Sequence, residues 1–158
     1  SDWRERLAAF YGALFGPGVT VAQVSPRGGM MRDAMVASQG HPDPAMAKRT
    51  AAQLALKPES RALVERWFMV TDQRVSGQAM YEDLTTDLRP GMAAITTPIT
   101  LVYPFSDAVP RERADALYRG EYAGARHVAF VPVADAAHFV MLDQPAAFAA
   151  ALDAFLAG

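Results

Sequence analysis

The sequence contains no cysteine, and its 158 residues include only three histidines. Without cysteine the chain can form no disulfide bond, no thiolate metal site and no cysteine nucleophile. His41, His127 and His138 are scattered along the chain, and this spacing does not predict a zinc site. We therefore expect neither a metal centre nor a bound cofactor.

The sequence also lacks an excess of charge of one sign and any long apolar run. Its formal net charge is −2 and its acidic and basic residues are mixed, so no basic stripe could neutralise phosphates. No stretch reaches the roughly 18 apolar residues of a membrane span, and the N-terminus lacks the apolar core of a signal peptide. We expect a soluble, cytoplasmic protein that binds neither nucleic acid nor membranes.

Helical periodicity dominates the first ninety residues, which are also rich in methionine. The predicted helices lie within residues 2–15, 25–44, 43–56, 57–73 and 76–88. Asp43 is a suitable N-cap because Pro44 follows it at the first helical position. The run Pro26-Arg27-Gly28-Gly29 is typical of a turn.

The pattern changes near residue 90. Nearly continuous apolar runs at residues 96–105 and 125–134 predict two strands buried on both faces, and residues 110–124 between them predict a helix. This order is typical of a βαβ unit with parallel strands, and residues 144–158 add a last helix. We expect an α/β fold.

Two strands are too few for a stable parallel sheet, because such strands need neighbours on both sides. The strand at residues 99–103 is therefore predicted to pair with a strand from outside this chain or from a second copy.

Two side chains that could carry chemistry follow the predicted strands. Asp107 comes after the first strand and His138 after the second, so both should emerge at the carboxyl edge of the sheet. A carboxylate beside an imidazole orients it and stabilises its protonated form, as a general base requires. The same residues also fit structural roles, Asp107 in an ordinary turn and His138 at the start of a helix.

Short motifs follow one another in a fixed order between residues 87 and 156. They are Asp87-Leu88-Arg89, Ile95 and Pro98, Asp107 with Pro110, His138 with Phe139, and then Pro145, Phe148, Phe155 and Leu156. This ordered set resembles the C-terminal part of the α/β-hydrolase family. The resemblance implies a helical cap over residues 1–90, followed over residues 91–158 by the last βαβα segment of an incomplete doubly wound sheet.

The resemblance also implies roles for particular residues. His138 would be the general base and Asp107 the orienting acid of a Ser-His-Asp triad. Four cap residues would contact an apolar acyl or carbonyl substrate, although their helical spacing also fits packing between helices. They are Met31, Met35, Trp67 and Met80.

The nucleophile of such a triad is absent, since no Gly-x-Ser-x-Gly motif occurs in the sequence. By this resemblance the chain is the C-terminal part of a hydrolase, inactive alone, and its partner would be the missing N-terminal lobe. Esterase, C–C bond hydrolase, haloperoxidase-like and acyltransferase activities stay open, as does dehalogenase or epoxide hydrolase activity with an aspartate nucleophile. The alternative is a non-catalytic binding or assembly module that covers its strand edge by self-association or by a partner chain.

Overall fold

The computed structural model describes residues 19–158, so the helix predicted at residues 2–15 lies outside the described residues. In chain order the elements are α1 (Val21–Ala37), α2 (Pro44–Leu54), α3 (Pro58–Val70), α4 (Gln73–Thr85), a 3₁₀ helix (Arg89–Ala94), β1 (Ile99–Phe105), α5 (Arg111–Glu121), β2 (Val128–Ala134), α6 (Val140–Asp143) and α7 (Pro145–Ala157). Both predicted strands and the helix between them are confirmed, and α2 begins at Pro44 as predicted.

The chain divides into two compact units. Among the described residues, 19–43 and 67–88 form the first unit, and 44–66 and 89–158 form the second. The predicted division into a cap over residues 1–90 and a core segment over residues 91–158 stays a prediction. The second unit includes residues 44–66. Within this segment Ala51, Ala55 and Val64 form a core cluster against which Phe139 and Leu142 pack.

The first unit contains the helices α1 and α4, which pack closely against each other. The turn predicted at Pro26 to Gly29 is wrong, because α1 runs through these residues. Glycine there serves helix packing: a Cβ atom on Gly28 would lie 3.4 Å from the Tyr81 ring. Across the same interface, a Cβ atom on Gly77 would lie 3.1 Å from the carbonyl oxygen of Arg32.

The second unit is built on the parallel pair of β1 and β2, whose register runs from Ile99 opposite Val128 to Phe105 opposite Ala134. One face of the pair is covered by α5, where the rings of Tyr103 and Tyr118 are 4.7 Å apart. The opposite face packs on α6 and α7, which contact β1. An α/β fold with helices on both faces of the strands is thus confirmed.

Burial of the two strands is less complete than predicted. Only Tyr103 in β1 and Val133 in β2 are fully buried, and most other strand residues are partly exposed. Within the described residues β1 and β2 pair only with each other, so each has an outer edge without a neighbouring strand. The predicted burial assumed neighbouring strands, which residues 19–158 do not supply.

Candidate active site

Asp107 and His138 both lie beyond the carboxyl edge of the strand pair. Phe105 at the end of β1 is opposite Ala134 at the end of β2. Asp107 follows two positions after Phe105, and His138 follows four positions after Ala134. Both side chains are exposed, so they can reach a molecule outside this chain.

The structure brings the two residues to one edge without joining them. Within residues 19–158, no hydrogen bond or ion pair links the carboxylate of Asp107 to the imidazole of His138. The imidazole instead contacts the ring of Phe139 edge-on, with 4.9 Å between ring centres. Asp107 lies in a tight turn in which the backbones of Ser106 and Val109 bond each other at 3.0 and 3.1 Å.

The loop that carries His138 starts with an unusual backbone conformation. Asp135 has a φ of 52°, in the left-handed region that non-glycine residues rarely adopt. Its carbonyl oxygen accepts a hydrogen bond of 2.9 Å from Nε2 of Gln144. The next N–H, that of Ala136, points to the carbonyl oxygen of Phe105 at 3.5 Å. This loop is therefore tied both to β1 and to the start of α7.

Asp143, at the end of α6, is an acidic residue that sequence reasoning missed. It is fully buried, with 0% of its surface exposed. Its carboxylate accepts hydrogen bonds from the backbone N–H groups of Leu56 at 2.9 Å, Lys57 at 3.1 Å and Ala137 at 3.0 Å. The one available signal was an acid within the apolar stretch after His138, and nothing in the sequence points to partners so far along the chain.

The hydrogen bonds to Asp143 change its acidity. Burial of the carboxylate raises its pKa, but the N–H donors of Leu56, Lys57 and Ala137 lower it by more. The net result is a pKa below the ordinary value, so Asp143 is ionised at neutral pH. Leu56 and Lys57 directly precede α3, and a negative charge at the start of a helix is favourable.

A second, partly buried polar contact links β1 to α5. The hydroxyl of Tyr103 donates a hydrogen bond of 2.5 Å to Oδ1 of Asp115. Burial raises the pKa of Tyr103, and the bond from its hydroxyl lowers the pKa of Asp115. The contact ties β1 to the helix that follows the Asp107 turn.

The four residues expected to contact substrate all belong to the first unit. Met31 and Met35 in α1 and Met80 in α4 are partly buried, and Trp67 is 42% exposed. Met35 lies at the α1 and α4 interface, beside Gly77. Helix packing therefore accounts for part of this set, and its role in substrate binding stays a prediction.

Within residues 19–158, no three histidine, aspartate or glutamate side chains are grouped so that they could hold a metal ion. No helix in the same range is long and apolar enough to cross a membrane.

Comparison with known proteins gives a match in structure and none in sequence. No protein-family model matches the chain, and no curated protein matches it in sequence. The structure is similar to the crystal structure of the enol-lactonase from Burkholderia xenovorans LB400, with a TM-score of 0.60 and 20% sequence identity. The fold is α/β-hydrolase-like.

This similarity covers 72% of the present chain and 45% of the enol-lactonase chain, so the chain spans less than half the length of that protein. At 20% identity the similarity shows the fold alone. It supports the α/β-hydrolase resemblance of the sequence at the level of fold.

Proposed function

We propose that this chain supplies the general base and the orienting acid of an α/β-hydrolase whose nucleophile lies outside residues 1–158. His138 is the base and Asp107 is the acid. The observation that carries the proposal is the parallel register of β1 and β2, which sets both residues beyond one edge of a sheet. Catalytic groups in open parallel sheets lie beyond that edge.

The proposed reaction is hydrolysis at a carbonyl carbon. The imidazole of His138 takes the proton from a serine hydroxyl as the hydroxyl oxygen attacks the carbonyl carbon. It then gives the proton to the leaving alkoxide, and a water molecule repeats the sequence to release the acid. Asp107 orients the ring through a hydrogen bond that forms when substrate is bound, since such bonds are often long in unliganded enzymes.

The substrate class we propose is an apolar ester or lactone. The similar solved structure is that of an enol-lactonase, which supports an ester carbonyl in a ring or chain. The apolar, partly exposed side chains of Met31, Met80 and Trp67 in the first unit support a substrate that carries an apolar group, since methionine adapts to varied shapes.

The partner we propose is an N-terminal lobe of the same protein that adds a strand to the outer edge of β1. The N–H of Ile99 donates a hydrogen bond of 2.9 Å to the carbonyl oxygen of His127, which directly precedes β2. The Ile99 backbone groups therefore face β2. Because backbone groups alternate in direction along a parallel strand, Thr100 and Val102 direct theirs to the outer edge. Pro104 also faces outward, so its missing N–H costs the β1–β2 pair no hydrogen bond.

The test is the rate of p-nitrophenyl acetate hydrolysis by the protein encoded by the complete reading frame that contains this chain. His138→Ala should lower kcat/KM by at least ~10³-fold, as loss of a catalytic base does. His127→Ala is the matched control, because His127 is also exposed but contributes only its backbone carbonyl to the sheet. Activity that survives in His138→Ala would exclude the proposed role.

A non-catalytic assembly module is the second candidate. It is favoured by the missing hydrogen bond between Asp107 and His138 and by the absence of Gly-x-Ser-x-Gly from this sequence. For this candidate, the complete protein would hydrolyse neither p-nitrophenyl acetate nor a small lactone, and both histidine variants would behave like the wild type.

A further inference from the structure

The backbone on both sides of His138 is fixed by one short segment, residues 54–57. On the N-terminal side, the N–H of Ala137 donates to the Asp143 carboxylate, which is itself held by Leu56 and Lys57. On the C-terminal side, the N–H of Phe139 donates to the carbonyl oxygen of Leu54 at 3.1 Å. The exposed imidazole thus projects from a backbone that is held at both neighbouring residues.

The link through Asp143 is stronger than an ordinary loop contact. Its carboxylate is charged and fully buried, and hydrogen bonds to a charged acceptor are shorter and roughly twice as strong as neutral ones. Removing the charge would leave buried N–H donors poorly satisfied, which is costly in a protein interior. The carboxylate therefore has one stable arrangement, in which it joins the His138 loop to the start of α3.

Backbone strain in the same loop supports a functional reading. Asp135, three residues before His138, adopts the left-handed conformation, which costs a non-glycine residue free energy. Such a conformation persists only where surrounding contacts enforce it, and here Gln144, Phe105 and Asp143 supply those contacts at successive residues. Strained backbone of this kind concentrates at functional sites.

We propose that Asp143 is a positioning residue for His138: its buried carboxylate fixes the Ala137 backbone and thereby the place from which the imidazole reaches the nucleophile. The inference deepens the proposed function and rests on it, because it assigns His138 the role of base. Asp143 touches no reacting atom. Its effect reaches the reaction through the backbone of the adjacent loop.

The first test is amide hydrogen exchange of the 158-residue chain, compared between wild type and Asp143→Asn. Asparagine has the same size but carries no charge, and only one of its two terminal atoms can accept a hydrogen bond. In either orientation of the amide, the N–H groups of Leu56 and Ala137 therefore lose their charged acceptor. Exchange at these two amides should speed up at least ~10-fold, consistent with loss of a charge-assisted hydrogen bond. Exchange at the Tyr103 amide in β1 should stay within about twofold, which separates local release from global unfolding.

Asp153→Asn is the matched control for this test. Asp153 lies on the exposed face of α7, and the variant makes the same chemical change. It should leave exchange at Ala137 and Leu56 unchanged. If Asp143→Asn does not fold, the test is the exchange rate of the Ala137 amide in the wild-type chain. Exchange there at the rate of an unprotected peptide would overturn the proposal.

The second test is kinetic and uses the protein from the complete reading frame. With active sites counted by burst titration, Asp143→Asn should lower kcat for p-nitrophenyl acetate by about 10²-fold, the effect of a misplaced catalytic group, and leave KM within about twofold. A purely structural role would reduce the number of active sites and leave kcat per site unchanged.

The outcomes separate this inference from the proposed function. An inactive complete protein, or an active His138→Ala variant, would contradict the proposed function. Asp143 would then have no role in catalysis. An active protein in which Asp143→Asn keeps its kcat per site would overturn this inference alone, as would unchanged exchange at Ala137 and Leu56.

Discussion

At the scale of single residues, Gly77 has a clear reason to be glycine. An added Cβ atom would lie 3.1 Å from the carbonyl oxygen of Arg32 and 3.2 Å from the Cβ atom of Met35, so α1 and α4 would have to separate. We predict that Gly77→Ala lowers the free energy of unfolding by about 1–2 kcal/mol, a typical cost of overpacking. Urea unfolding followed by circular dichroism measures this.

Gly29→Ala in α1 is the control for that substitution. An added Cβ atom there meets nothing within 4 Å. In a helix interior, alanine is about 1 kcal/mol more stabilising than glycine. Gly29→Ala should therefore be neutral or stabilising. Equal destabilisation by both substitutions would contradict the close packing at Gly77.

A second prediction at the residue scale concerns acid. The folded-state pKa of Asp143 is lower than its ordinary value of about 3.9. Its contribution to stability is therefore present above pH ~4 and is lost as the pH falls through the ordinary value toward the folded one. Between pH 5 and 3 the free energy of unfolding should fall less in Asp143→Asn than in the wild type, as urea midpoints at several pH values would show. An equal fall in both proteins would contradict the hydrogen bonds assigned to Asp143.

At the scale of elements, periodicity and residue type predicted the helices and strands well where local signals decide. Pro44 opens α2, and the β-branched run at residues 96–105 contains β1. The prediction failed at Pro26 to Gly29, where packing against Tyr81 overrides the local preference for a turn. A glycine in a sequence is consistent either with close packing against a neighbouring element or with an unusual backbone conformation. The sequence alone does not distinguish the two.

The candidate site was predictable to a different degree. Asp107 and His138 could be placed at one edge, because strand order and direction follow from the βαβ pattern. Asp143 could not be assigned, because its donors Leu56 and Lys57 lie 87 and 86 residues away along the chain. Contacts of this kind depend on tertiary packing and leave no local pattern.

The contact between β1 and α5 gives a prediction at this scale. Tyr103→Phe removes the hydroxyl that donates to Asp115, whose carboxylate then keeps the longer hydrogen bond from Arg111 at 3.4 Å. We expect a loss of about 1.5–3 kcal/mol in the free energy of unfolding, the usual range for a hydrogen bond to a charged group. Tyr122→Phe is the control, and an equal loss in both variants would contradict this role.

At the scale of the whole molecule, β1 has no neighbouring strand on its outer edge within residues 19–158. The isolated 158-residue chain should self-associate through this edge at micromolar concentration, which native mass spectrometry detects. Thr100→Pro removes an outward N–H and should reduce association. Val128→Pro makes the same change on the outer edge of β2 and should not. A monomeric wild-type chain would contradict the prediction that the outer edge of β1 is available for pairing with a second copy.

We propose that His138 activates a nucleophile that lies outside residues 1–158. The most direct measurement is intact and peptide-level mass spectrometry of the protein from the complete reading frame after treatment with a serine-reactive fluorophosphonate. We expect one adduct, on a serine outside residues 1–158, whose formation slows at least ~10³-fold in His138→Ala. An adduct within residues 1–158, or one that forms at the wild-type rate without His138, would contradict it.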